Sequence, residues 1–417
     1  MAEQTLTKIV AREIIERVGS SGQPPEYGVS FFTAGFDSYL KTIEDEYLSS
    51  YISKENGKAF KLVVGYYGGG KTHFLYSIRE LAWKYNFAVS YVELKEKSTP
   101  FHKLEFVYKA IANNLMYPMS PEELMSGYEK GIANFIRVWY QNKRTEMETE
   151  GLSGNELITE LNRYVNSIKF IENTSFRNAV CQAFRSLIEE RDDDFSLILQ
   201  WLQGSPYLTG KNGHARFQIL DRIDSTTAFP MIRSTIQWTK SIGYSGLIVL
   251  LDETELKSSM TGKDKNTFLS NLVELIDECG RGSLNNSMFF YSAPSMNFLD
   301  GKTGIYEAAN QRLKTVFDTS TPTGVNILLD EMPGEKEEIL QQIGKKLAYV
   351  FQKAFSVQFN NSQVLQDSIV NIAHAAADLQ FTESGYRRLF VRKMIQGLHL
   401  LRANPNQVIT PEKAKEL

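Results

Sequence analysis

Eight residues, Gly65-Tyr66-Tyr67-Gly68-Gly69-Gly70-Lys71-Thr72, combine the types that wrap and neutralise a polyphosphate. They fit the spacing G-x-x-x-x-G-K-[ST], with two further glycines inside the loop. Glycine has no Cβ, so successive backbone N–H groups can curl round an anion, and the next helix adds the positive end of its dipole. Lys71 supplies a point charge for the β- and γ-phosphates, and the Thr72 hydroxyl a ligand for Mg²⁺. His73 follows directly and is grouped with the nucleotide-binding residues, although this helix position needs only a packing side chain.

A second segment, residues 246–253, is an apolar run that ends in Asp252-Glu253. A carboxylate at the end of a strand suits a Mg²⁺ shell, so Asp252 is expected to hold the metal directly or through water. Glu253 is then placed to orient or deprotonate an attacking water, and Glu255 is a second carboxylate that shares or replaces that role. An apolar run ending in Asp-Glu says little by itself. Together with the glycine loop it predicts a site that binds ATP and Mg²⁺ and hydrolyses the γ-phosphate. The histidines show no metal-ligand spacing, and no second catalytic constellation is present.

These residues need a sheet to bring them together. Residues 60–64 have strand character and residues 73–81 helical character, the order that the glycine loop requires. Residues 87–94, 246–253, 287–293 and 325–329 are mostly apolar runs, expected for parallel strands buried on both faces. The expectation is an α/β fold with five parallel strands. Between about 101 and 245 helical periodicities take over, as in Phe106-Val107-Ile111-Leu115 and Val180-Phe184-Leu187-Ile188, which predicts a large helical insertion. Residues 1–54 form an N-terminal helical and linker segment, 55–332 the core with its insertion, and 333–417 a C-terminal helical domain whose last long helix starts near Phe381. Lys+Arg 46 against Asp+Glu 49 gives a net charge of -3, so no global basic field points to nucleic acid. A local basic run, Arg387, Arg388, Arg392 and Lys393, keeps DNA among the possible partners. Two cysteines, Cys181 and Cys279, make no disulfide framework and suit a reducing cytoplasm. The N-terminus does not resemble a signal peptide, and no apolar run approaches the roughly 20 residues of a membrane span.

Five buried strands carrying the two nucleotide signatures on the first and third, followed by a helical domain, resemble the AAA+ (ASCE) P-loop NTPase plan. Residues 64–75, the run Val89-Ser90-Tyr91-Val92-Glu93-Leu94 and the lead Gly243-Tyr244-Ser245-Gly246-Leu247 into Asp252-Glu253 are similar to BREX-system ATP-binding proteins of bacterial antiphage defence. So are Pro100-Phe101-His102-Lys103-Leu104 and Phe31-Phe32-Thr33-Ala34-Gly35. The resemblance implies a C-terminal lid, a homo-oligomer and other defence-system proteins as partners. It implies an arginine finger acting in trans at Arg312, with Arg281 as its rival, and a lid arginine on the γ-phosphate at Arg387, with Arg388 one residue away. Ser292, closing the fourth strand, becomes a γ-phosphate sensor or a satisfied strand-end hydroxyl, with Asn297 as runner-up. Gly35 and Phe36 become neighbours of the adenine or plain packing residues. The function so implied is ATP hydrolysis that drives or gates a defence complex. The alternative is a nucleotide-gated DNA loader or regulatory switch like the replication-initiator ATPases.

Overall fold

Strands buried on both faces cannot alternate apolar with polar residues, and the runs 247–251 and 288–291 show it. The computed structural model describes residues 5–205, 214–253, 260–301, 303–378 and 385–417. Its sheet comprises β1 (Lys58–Val64), β2 (Ala88–Leu94), β3 (Leu115–Met116), β4 (Leu247–Glu253), β5 (Ser287–Ala293) and β6 (Asn326–Leu328), in the order β3-β2-β4-β5-β1-β6. Six strands replace the expected five. β1, β2, β4, β5 and β6 are parallel, whereas β3 runs antiparallel to β2, with Ser90 opposite Leu115 and Val89 opposite Met116. Helical periodicity through Leu115 hid that strand. The helix Leu104–Asn113 stops at Asn114, and the next two apolar residues cover an edge of β2 whose backbone groups would otherwise lack partners.

Parallel register gathers the strand ends at one edge. Val64 lies opposite Ala293 and Leu328, Asp252 opposite Ser292, and Glu93 opposite Asp252. Sheets of this kind present their ligand crevice beyond the carboxyl ends of the strands. The lead into β4 has a steric basis. Gly246 sits at φ 149°, and a Cβ there would lie 1.9 Å from the Asn286 carbonyl oxygen.

The insertion packs onto one face of the sheet in a core continuous with it. Phe135, Trp139, Phe184 and Trp238 share that core with Leu62, Val249 and Tyr291. The opposite face is covered by the glycine-loop helix Lys71–Lys84 and by Asp37–Ile43, which continues into a wider π-helical stretch, Glu44–Tyr51. A separate core holds the C-terminal helices Lys336–Phe355, Ser362–Ala377 and Tyr386–Ala403. Phe381, the expected start of the last of these, falls outside the described residues. The N-terminal helix Lys8–Ser21 joins this second core through Val10, Ile14 and Val18. The chain passes between the two bodies twice, at Gly35 (φ 80°) and at Gly334 (φ 119°), and both glycines face the Ile339 side chain. Among the described residues no helix is long and apolar enough to cross a membrane. Cys181 and Cys279 are buried free thiols.

Lys61 on β1 is 1 % exposed. Its Nζ donates to the Tyr47 hydroxyl (2.9 Å) and to the carbonyls of Pro322 (2.8 Å) and Gly324 (2.6 Å). Burial without a carboxylate among those partners lowers its pKa to about 7. Below that pH both folded and unfolded chains hold the proton. Between about 7 and the ordinary lysine value of 10.5 only the unfolded chain does, so folding releases a proton and stability rises with pH. Lys61→Met should flatten that rise by up to about 1.4 kcal/mol per pH unit, read from denaturant midpoints between neutral pH and about pH 9. An unchanged slope would place the proton release elsewhere.

Candidate functional site

β1 delivers the glycine loop to the carboxyl edge of the sheet, and Lys71–Lys84 leads away from it. Gly70 has φ 100°, and a Cβ on it would lie 3.2 Å from Phe36 Cζ and 3.3 Å from Arg387 Nη1. Only glycine fits so close a junction of loop, N-terminal segment and C-terminal helix. Lys71 Nζ donates to the carbonyls of Gly65 (2.7 Å) and Tyr66 (3.1 Å). Burial lowers its pKa, while Asp252 and Asp330 act to raise it. Asp330, just beyond β6, also accepts the Tyr66 N–H at 2.9 Å and so braces the start of the loop.

The two carboxylates of β4 have different surroundings. Asp252 Oδ2 accepts from Thr72 Oγ1 (2.8 Å) and from the Tyr91 hydroxyl (2.6 Å), and its Oδ1 accepts from the Ser292 hydroxyl. Thr72 and Asp252 thus bring two hard oxygen donors together beside Lys71, a donor set that would suit Mg²⁺. Among the described residues no cluster of three or more His, Cys, Asp or Glu forms a metal cage. Glu253 accepts from the buried Tyr291 hydroxyl. Burial pushes its pKa up to about 7, with the Tyr291 bond lowering and the Asp252 charge raising it.

A cavity of about 380 Å³ opens over the loop. Gly68, Gly70, Lys71, Thr72 and Asp252 form its polar end, while Phe32, Ala34, Phe36, Ile343 and Val391 supply apolar surface. Its size, and its polar and apolar ends, fit a purine nucleotide with Mg²⁺ at Thr72 and Asp252. Phe36 is in the wall and packs edge-on against Phe74; Gly35 instead packs against Ile339. His73 is also in the wall, but its Nε2 lies 2.7 Å from Thr33 Oγ1, with the ring edge-on to Phe32. Burial, with Arg387 and Lys346 nearby, depresses its pKa to about 3, so the ring is neutral and ties the N-terminal segment to the loop helix. Arg387, 8 % exposed, donates from Nη1 to the Gly69 carbonyl (2.8 Å) and lies over the Phe36 ring at 5.0 Å. Arg388 Nη1 donates to the Tyr67 hydroxyl at 2.8 Å.

Other expected residues lie apart from this cluster. Arg312, on Gly304–Leu313, grips Asp277 with Nε (2.6 Å) and Nη2 (2.9 Å), and Arg281 is exposed beside the same carboxylate. Asn297 is exposed, and Glu255 falls outside the described residues. The basic run of the last long helix, Tyr386–Ala403, does not form one patch. Arg387 and Arg388 face the glycine loop, whereas Lys393 is buried and donates to the carbonyls of Ala414 and Lys415. Sequence reasoning assigns no role to Tyr91, Tyr291 or Asp330. The one signal for Asp330 is a carboxylate just past the end of a parallel strand.

No curated protein and no solved structure matches the chain. The family model described as BREX system ATP-binding protein BrxC/D matches residues 7–415. With a phosphate loop, a paired Thr72 and Asp252 and a nucleotide-sized cavity already in place, that match over nearly the whole sequence means that the chain belongs to the BREX system ATP-binding protein family.

Proposed function

We propose that this protein is an AAA+ ATPase that binds Mg²⁺·ATP between its α/β core and its C-terminal helical lid and hydrolyses it to gate a cytoplasmic antiphage defence complex. The observation that carries the reading is the Thr72–Asp252 hydrogen bond, which joins the start of the helix Lys71–Lys84 to the end of β4, with Lys71 next to it on the glycine loop. Lys71 and the loop N–H groups would hold the phosphates, while Thr72 and Asp252 would hold Mg²⁺, which would supply charge neutralisation there. Ser292 and Tyr91 fix the Asp252 carboxylate through hydrogen bonds to its oxygens. Glu253 takes the proton of the attacking water. Arg387 brings lid and loop together, so the lid reads whether phosphate is bound.

In this reading the chain assembles, and Arg312 leaves Asp277 to reach the site of the next subunit. Arg312→Ala and Lys71→Ala should then each lose roughly 10³-fold or more in turnover. Mixed in equal amounts in a closed ring, they should regain about a quarter of wild-type activity, because that share of interfaces pairs an intact Lys71 with an intact Arg312. Phosphate release with no recovery on mixing would remove Arg312 as a finger. Specific activity that rises with protein concentration would support the shared site, and a flat profile would count against it.

A further inference from the structure

The glycine loop is held from two sides. Gly68, Gly70, Lys71 and Thr72 face the nucleotide cavity, whereas Gly65 and Gly69 back onto the segment that follows β6. A Cβ on Gly65 would lie 3.2 Å from Leu329 Cβ, and one on Gly69 would lie 3.2 Å from Asp330 Oδ1. The Leu329 N–H donates to the Val64 carbonyl at 2.8 Å, which carries the β6–β1 ladder to the start of the loop. Asp330 Oδ2 then accepts the Tyr66 N–H at 2.9 Å. The Tyr66 carbonyl accepts from Lys71 Nζ at 3.1 Å and from the Gly69 N–H at 2.9 Å. Tyr66 is thus fixed at both backbone groups, while its side chain is exposed.

A glycine-rich loop does little to keep its own shape, because glycine has more backbone freedom than any other residue. To reach a phosphate, Lys71 would leave the Gly65 and Tyr66 carbonyls that it holds here. The Asp330 bond takes no part in that exchange, so it can persist through it. We propose that Asp330 is a positioning residue that keeps the loop in its phosphate-binding shape while Lys71 changes partners, and that ties this shape to the root of the C-terminal helical body. The tie is short. Asp330 stands just before Gly334, where the chain enters that body, and Met332 between them is buried against the sheet. The inference rests on the reading of the loop as the ATP site.

The test measures KM and kcat for ATP in wild type, Asp330→Ala and Asp330→Asn, with thermal melting alongside. Amide exchange over residues 331–340 is followed with and without Mg²⁺·ATP. Asp330→Ala removes a charge-assisted bond and should raise KM about ten-fold or more. Its kcat should change less than about three-fold, because the loop holds ground and transition states alike. Asp330→Asn keeps an oxygen for the Tyr66 N–H and should recover most of the loss. ATP should slow exchange over 331–340 in wild type and, at saturation, fail to slow it in Asp330→Ala. An unchanged KM in Asp330→Ala, or equal losses in the two variants, overturns the positioning role. KM and kcat worsening together with a lowered melting temperature would make Asp330 a purely structural residue and overturn it as well. Slowed exchange retained in Asp330→Ala overturns the tie to the C-terminal body. Should Asp330→Ala fail to fold, Asp330→Glu displaces the same oxygens by one methylene, and the same rise in KM is expected. Wild type that neither binds nor turns over ATP overturns the ATP site itself, and this inference with it.

Discussion

Glu253→Gln should leave ATP bound and lower phosphate release by roughly 10²–10⁴, the range that a positioned proton acceptor contributes. The substitution keeps the side chain's volume and its position at the end of β4, where it is 9 % exposed. It also keeps an oxygen for the Tyr291 hydroxyl, so packing around the site is preserved. What is lost is the capacity to take a proton. The measurement pairs equilibrium binding of a fluorescent ATP analogue with steady-state phosphate release. Asp252→Asn separates the two roles, because Asp252 accepts from Thr72, Tyr91 and Ser292 and sits at the proposed Mg²⁺ position. Its loss should appear as a changed Mg²⁺ dependence, whereas Glu253→Gln should leave that dependence as it was. Turnover persisting in Glu253→Gln would move the base to Glu255.

Arg387→Ala should cost about 10²–10³ in kcat, comparable to removing one preorganised donor from a transition-state oxyanion. The guanidinium is nearly enclosed, bonded to Gly69 and lying over Phe36, so it already stands where loop, N-terminal segment and C-terminal helices meet. Arg387→Lys should recover only part of the loss, because an ammonium restores the charge but neither the planar fork nor the stacking. Arg388→Ala is the internal control. Its partner Tyr67 is 56 % exposed, and such surface pairs contribute little, so turnover should change less than about three-fold. Equal losses at the two positions would mean that neither arginine touches the phosphate.

Legibility in the sequence followed the range of the interactions. The glycine loop, Lys71, Thr72 and Asp252-Glu253 were readable because their chemistry is local: a tight loop requires glycine, and a strand end requires particular side chains. The strands β1, β2, β4, β5 and β6 were readable because burial on both faces removes polar residues from them. Tyr91 and Tyr291 were not, because an aromatic residue within an apolar strand looks like core until the register sets it beside Asp252 or Glu253. β3 was missed since two residues carry no periodicity of their own. The resemblance singles out Arg387, but its bond to Gly69 spans 318 positions and follows only from the packing of the C-terminal helices over the loop. Likewise, no local pattern joins Lys8–Ser21 to the distant helices Lys336–Phe355 and Tyr386–Ala403.

That last pairing has a mechanical consequence. Because Lys8–Ser21 is packed into the C-terminal helical body, that body is attached to the sheet by two covalent strands rather than one. Each passes a glycine with positive φ, Gly35 or Gly334, against the side chain of Ile339. Two covalent crossings beside one side chain restrain the C-terminal body against sliding more than a single linker would.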